Sequence, residues 1–234
     1  TTGAGYYERY RENDKLSDYG IESILLNAPF YLIGNDTIQA PDSTISHSDL
    51  IRQKHLANTF SGLTWSLNYH TAKLQPSIGG SWNTYDGNHF GRVIWSQFTG
   101  NSEINHEWYR SKASKTDFNI YAKAEYLLAA NLHAWADLQY RRIYYSIDGV
   151  DDDQRDITQQ HTFNFFNPKA GISYDLNTIQ NIYFSVSVAN REPNRDNFVD
   201  ADPTKPTPTP ERLYDAEAGY TYNNSHVSLS ANAY

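Results

Sequence analysis

The 234-residue sequence contains no cysteine and no methionine. Without cysteine there is no disulfide framework and no thiolate-held zinc or iron–sulfur centre. Long apolar runs are missing as well: nothing approaches the roughly 18 consecutive apolar residues of a transmembrane helix or resembles a signal-peptide core. Positive charge is in deficit, with 19 Lys and Arg against 27 Asp and Glu, a formal charge of −8. A nucleic-acid partner needs a basic face, so none is expected. What the chain has in quantity is aromatic: 19 Tyr, 10 Phe and 5 Trp. Disordered chains are poor in aromatics, which argues against bulk disorder. The chain opens on Thr1 rather than methionine, which reads as a processed chain or a piece of a longer one.

Period-2 alternation is the dominant pattern. Phe118, Ile120, Ala122, Ala124, Tyr126 and Leu128 share one face, and Asp117, Asn119, Tyr121, Lys123 and Glu125 share the other. A half-buried strand reads this way. Similar alternation runs through Leu63–Tyr69, Leu132–Tyr140, Ile182–Val188 and Val227–Ala233. The pattern predicts about eight strands: 60–70, 74–84, 115–128, 131–146, 163–175, 181–190, 214–223 and 226–234. Many are longer than the 5 or 6 residues usual in soluble domains. They match the roughly 9–11 residues of a tilted membrane-crossing strand. The expected fold class is therefore all-β, an antiparallel transmembrane β-barrel segment.

The connections alternate in length. Residues 71–73, 129–130, 176–180 and 224–225 are short turns, whereas 85–114, 147–162 and 191–213 are long polar segments. Residues 1–59 precede the first predicted strand and read as an extracellular loop region, with barrel strands and loops over 60–234. Outer-membrane barrels sort their connections this way, with short periplasmic turns and long extracellular loops. That sorting would place both chain ends outside, so an internal stretch of a larger barrel is expected. Open sheet edges in lipid are costly, and the remaining strands must exist elsewhere.

Specific residues carry a resemblance. Asn167-Pro168-Lys169-Ala170-Gly171-Ile172-Ser173-Tyr174 precedes Ile182-Tyr183-Phe184-Ser185-Val186 and then Arg191-Glu192-Pro193. After a proline-rich stretch comes Pro210-Glu211-Arg212-Leu213-Tyr214-Asp215-Ala216-Glu217-Ala218-Gly219-Tyr220. This order resembles the C-terminal half of the barrel of TonB-dependent outer-membrane receptors. Gly3-Ala4-Gly5-Tyr6-Tyr7-Glu8, Tyr85 to Gly91 and Trp108-Tyr109-Arg110 resemble the Bacteroidetes branch of that family. The resemblance implies a 22-stranded barrel, of which this chain holds about eight strands, around a plug domain that these residues do not include. It also implies a receptor in the bacterial outer membrane. Such a receptor binds a scarce nutrient, an iron chelate or a cobalamin-like cofactor first, and imports it with energy from the TonB complex. Its partners would be TonB, outer-membrane lipid and the cargo. The competing reading is a soluble β-rich cell-surface domain that binds glycan or protein, in which Phe118, Ile120, Leu132, Leu138, Ile182, Phe184 and Val186 would face a core.

Candidate binding residues lie in the expected outer loops: Tyr85, His89, Arg92, Trp95, Trp108, Tyr109 and Arg110. Aromatics and Arg are enriched at binding hot spots. Aromatic girdles at the membrane interfaces use the same residue types, and Asp86-Gly87-Asn88 also reads as a tight turn. Five carboxylates stand between Asp148 and Asp156. Clustered oxygens suit calcium, with Asp151 and Asp153 as ligands, but a solvated acidic loop tip reads the same. No other cofactor is indicated. There is no Gly-x-Ser-x-Gly elbow, phosphate loop or His-Glu-x-x-His motif, so the chain does not read as an enzyme. Arg191 to Asp196 reads as an ion-paired latch or a cargo contact. Asp117, Lys123, Glu125, Asp137, Arg141, Lys169, Asp175 and Glu217 fall on the polar face and would meet the plug.

Overall fold

A computed structural model of the chain describes residues 1–100, 102–201 and 207–234. Part of the expected proline-rich loop, 203–206, lies outside these. Among the described residues the strands are β1 Thr2–Lys15, β2 Ile24–Leu26, β3 Phe30–Ile33, β4 Asp36–Gln39, β5 Ser43–Ile45, β6 His47–Asn68 and β7 Leu74–Ser96. Then follow β8 His106–Ala129, β9 Leu132–Gly149, β10 Gln159–Asn177, β11 Gln180–Arg191, β12 Glu211–Asn223 and β13 Ser228–Ala233. Nine of them form one sheet in the order β1-β6-β7-β8-β9-β10-β11-β12-β13. The other four make two small ribbons, β2 with β5 and β3 with β4. The large sheet is antiparallel and not closed, which makes the chain a partial barrel.

Two features correct the expectation from sequence. Residues 1–59 are not loop throughout. β1 pairs with β6 from Thr2 opposite Thr59 to Lys15 opposite His47, and β6 itself starts thirteen residues before the predicted Phe60. The chain therefore does not start at the long-connection end of the sheet, as loop parity had suggested. The expected loops at 85–114 and 147–162 shrink to 97–105 and 150–158, because β7, β8, β9 and β10 run on into them. β6, β7 and β8 have 22, 23 and 24 residues. A bilayer needs only about 9–11, so roughly half of each strand lies beyond it. There neither face has to be apolar, and the alternation that marks a strand in lipid fades.

The residues group into two compact units. One comprises Thr1–Phe60, Tyr85–Ser114 and Ser146–Gln160; the other comprises Ser61–Thr84, Lys115–Tyr145 and His161–Tyr234. The second unit contains every predicted membrane segment, apart from the end residues Phe60 and Ser146, and the four short turns. Its apolar face is bare: Leu67 is 67% exposed, Ile172 50% and Phe184 48%, with Leu63, Trp82, Phe118, Leu138, Ile182 and Val186 likewise uncovered. Water-soluble proteins rarely expose a continuous apolar face of this size. The soluble reading required Phe118, Ile120, Leu132, Leu138, Ile182, Phe184 and Val186 to face a core; all but Leu132, which is half-buried, are exposed.

The opposite face of the second unit is polar and internally bonded. Asn119 Nδ2 donates to Ser81 Oγ at 2.5 Å, Tyr183 Oη to Glu217 at 2.5 Å and Asn167 Nδ2 to Gln139 at 2.9 Å. Arg141 forks onto both oxygens of Asp117 at 2.5–3.1 Å and reaches Glu192 at 3.1–3.2 Å. Lys115 closes the group on Glu192 at 2.6 Å. Two cations and two anions thus neutralise each other within the wall. Of the charged residues expected to meet the plug, Asp117 and Arg141 are paired with each other within the wall, and Glu192 of the expected Arg191–Asp196 latch joins them. Beside this group the short helix α1, Arg195–Val199, buries Phe198 against His161, Phe163 and Tyr145, with ring centroids 4.0, 6.4 and 6.1 Å apart. Trp135 lies flat over Gly171 of the neighbouring strand, where a Cβ would stand 2.7 Å from the indole. Only glycine leaves that space.

Candidate functional site

The first unit has its own small core. The chain leaving β1 turns through a 3₁₀ helix, Leu16–Tyr19, which Gly20 ends in a left-handed conformation at φ 65°. Leu16, Tyr19 and Ile21 then pack with Leu50, Val93, Trp108 and Tyr109, and Val150 joins them. Tyr19 donates its hydroxyl proton to Asp14. Burial and that hydrogen bond push the Tyr19 phenol up to about 12. Asp14 is pushed up by burial, but the hydrogen bonds from Arg11 and Tyr19 outweigh this and hold it below the usual carboxylate range. Both groups keep the charge state they carry at neutral pH.

Against this core lies a concave cavity of about 590 Å³. Gly3 and Gly5 of β1, Lys54, Leu56 and Asn58 of β6, His89 of β7 and Tyr109 of β8 line it, with Tyr7 at its edge. Specific ligand pockets span about 300–1,000 Å³. Lys54 is ion-paired to Asp152 of the 150–158 loop. Burial, then repulsion from Arg52, lowers its pKa, while Asp151 raises it. Asn58 Oδ1 is buried with no hydrogen-bond partner among the described residues. A buried acceptor left unpaired costs about 1–3 kcal/mol. The cavity thus offers a lysine, an imidazole and phenol rings, with the Asn58 amide packed beneath its wall. That set suits binding through hydrogen bonds, charge and stacking.

The seven candidate binding residues do not form one site. His89 and Tyr109 line the cavity, and Tyr85 alternates onto the same face as His89. Tyr109 and Trp108 are only 7% and 4% exposed. Trp108 is a core residue: its ring meets Tyr19 and Tyr109 edge-on at 5.2 and 5.0 Å, and its indole donates to Asp152 O at 3.2 Å. Arg92 and Arg110 face the other way. Their guanidinium carbons lie 5.0 and 4.4 Å from the Phe90 ring centroid, and Phe90 stacks on His55 at 4.6 Å. Arg110 is bidentate to Glu107 at 2.6 and 2.7 Å; these bonds, helped by the charges of Arg110 and Arg92, outweigh the opposing effect of burial and hold Glu107 below its ordinary pKa. Trp95 is half exposed near the end of β7. All seven lie on strands, not in loops. The turn expected at Asp86-Gly87 is absent, since β7 is extended from Leu74 to Ser96. The glycine at 91 serves close approach: a Cβ there would stand 2.3 Å from the rings of Trp108 and Tyr109.

The acidic loop is tied up locally. Asp153 Oδ1 accepts the Arg155 amide at 3.0 Å, Asp156 Oδ1 accepts that of Thr158 at 2.9 Å, and Asp152 holds Lys54. Among the described residues no group of three or more His, Asp or Glu is arranged to hold a metal ion, around Asp151 and Asp153 or elsewhere. The cavity residues Lys54, Leu56, Asn58 and Tyr7 were missed because they lie before Phe60. The β-formers Tyr6, Tyr7 and Tyr10 were the available signal.

An open antiparallel sheet of long strands, apolar on one face and polar on the other, defines part of an outer-membrane β-barrel. The chain belongs to the TonB dependent receptor-like β-barrel family, whose model matches residues 1–234. Among solved structures it is similar to the ferric citrate transporter FecA in its unliganded form, with TM-score 0.57 and 11% identity over 80% of this chain and 29% of that one. It is also similar to the ferric-catecholate import receptor Fiu of E. coli K12 in its closed form, with TM-score 0.51 and 12% identity over 90% and 35%. At such identities the likeness shows the fold alone. The chain spans about a third of the length of these structures. No curated protein matches it. Barrels of this family are outer-membrane structures, and the family is one of receptors and transporters, not of enzymes.

Proposed function

We propose that the receptor built on this barrel binds a scarce nutrient on its extracellular side and imports it with energy from TonB, acting through a plug. The cavity beside Lys54, Asn58, His89 and Tyr109 carries this reading. It is built from parts of β1, β6, β7 and β8 outside the segments predicted to cross the membrane, and combines a lysine with an imidazole and phenol rings. An iron chelate is the favoured cargo, ahead of a cobalamin-like cofactor. Chelates that hold ferric iron through carboxylate or catecholate oxygens present negative charge and flat rings, which a lysine and phenol rings complement. The two similar structures are named for ferric citrate and ferric catecholate. The test is binding of ferric chelates and of cobalamin to the full-length receptor in detergent, with Lys54→Ala and Asn58→Ala as variants. Hot-spot truncation costs about 1–2 kcal/mol or more, so affinity for a ferric chelate falls about tenfold or further in each. Unchanged affinity in both variants refutes the site. Tight cobalamin binding without chelate binding reverses the order of cargoes.

A further inference from the structure

The apolar face of the second unit carries a groove of about 440 Å³ that cargo binding does not use. Its lining includes Leu138, Ala170, Val186, Val188, Tyr214 and Ala216, and nearly all of it is apolar. Strand register explains the depression. Ala170 stands opposite Val186, and Val186 opposite Ala216, so a row of short side chains crosses β10, β11 and β12. One step toward the long connections, Val188 stands opposite Tyr214, which is 70% exposed. One step further, Asn190 stands opposite Arg212.

Arg212 gives the groove a charged end. Its Nε donates to Asn190 Oδ1 at 2.9 Å and its Nη1 to Tyr214 Oη at 3.4 Å, which holds the guanidinium beside Tyr214, a residue of the groove lining. Guanidinium has five N–H donors, and these contacts engage two. The neighbouring Glu211 does not neutralise it, because it alternates to the other face and is bonded to Arg191 at 3.0 Å. From Ala216 to Arg212 is four residues, about 13 Å at roughly 3.3 Å per residue. That matches the step from an acyl chain to its headgroup, and exposed Tyr214 and Phe166 stand at the level where barrels carry aromatics.

We propose that this groove is a binding site for a phosphate-bearing lipid of the outer leaflet. One acyl chain lies across Ala170, Val186 and Ala216, and the phosphate is held by Arg212. The probe is dipalmitoyl phosphatidic acid, titrated into the full-length receptor in detergent micelles and read by native mass spectrometry. Dipalmitoylglycerol and inorganic phosphate are the comparison ligands. One phosphatidic acid per receptor is retained, while the uncharged lipid and the free ion are not. Arg212→Gln and Ala216→Phe each lower occupancy about tenfold or more, Arg212→Lys retains it, and all three keep the heat-modifiable mobility of a folded barrel. Ala170→Leu fills the same floor if Ala216→Phe does not assemble. Retention unaffected by Arg212→Gln and by the groove-filling variant overturns the proposal. So does equal retention of dipalmitoylglycerol, or of phosphate alone. A dimer that the groove-filling variant dissociates would assign the face to a second copy of the chain instead.

Discussion

Replacing Arg141 with methionine removes the centre of the charge group on the polar face. The side chains of Arg141, Asp117 and Glu192 are 25%, 12% and 14% exposed. Removing one partner of a fully buried ion pair costs about 3–5 kcal/mol, because the other charge is left uncompensated. Here Lys115 still holds Glu192, and a quarter of the arginine already meets solvent. The uncompensated charge is therefore mainly Asp117, and the expected loss is about 2–3 kcal/mol. Urea unfolding of the full-length receptor in micelles measures it. The double variant Arg141→Met, Asp117→Asn removes both charges and should recover about half or more, a coupling of about 1–2 kcal/mol. A single-variant loss under about 0.5 kcal/mol, the range of ordinary surface substitutions, refutes the view that these charges hold the wall together.

Gly171→Ala drives a methyl group into the Trp135 indole and should cost about 1–3 kcal/mol, read in the same unfolding assay; a neutral result would show that the indole swings away freely. Ile182→Arg places a charge on the lipid face at about 2–4 kcal/mol near mid-bilayer and should prevent assembly, whereas Ser185→Arg on the polar face should assemble. Equal assembly of the two would contradict the assignment of faces. The Tyr19 phenol, raised to about 12 against an ordinary 10, stabilises the first unit in its neutral form. That contribution is complete below pH 10 and is lost as pH rises from about 10 through about 12. Trp108 fluorescence should follow this loss in a receptor that keeps Trp108 as its sole tryptophan, and Tyr19→Phe should flatten the transition; an unchanged transition would place its cause elsewhere.

The membrane half of the fold was legible because lipid imposes a rule on sequence. Phe118 to Tyr126 keeps every even position apolar, with only Tyr121 amphipathic on the other face, since one face must be apolar and the other need not be. β11 was located from the alternation of Ile182 to Val188 alone, and the structure extends the predicted 181–190 by only one residue at each end. Outside the bilayer that rule lapses. His47 to Thr59 has no period-2 pattern, because its two faces meet a small core, a cavity and water in turn, and so a paired strand read as loop. The candidate site was half legible for the same reason. His89 and Tyr109 were chosen by residue type, and residue type does not say which face a side chain takes. Trp108 was picked as a ligand contact and is the centre of a core that only the fold of the 16–21 segment creates.

The even-numbered residues of β11 and its neighbours face lipid, while the odd-numbered residues face the barrel interior. Spin labels placed singly at positions 181 to 188 of the full-length receptor in bilayers test this directly. Collision with lipid-dissolved oxygen should peak at 182, 184, 186 and 188, and collision with a water-soluble nickel chelate should be low at those positions. Uniform accessibility along the strand, or shielding of Phe184 and Val186 from oxygen, would contradict the account.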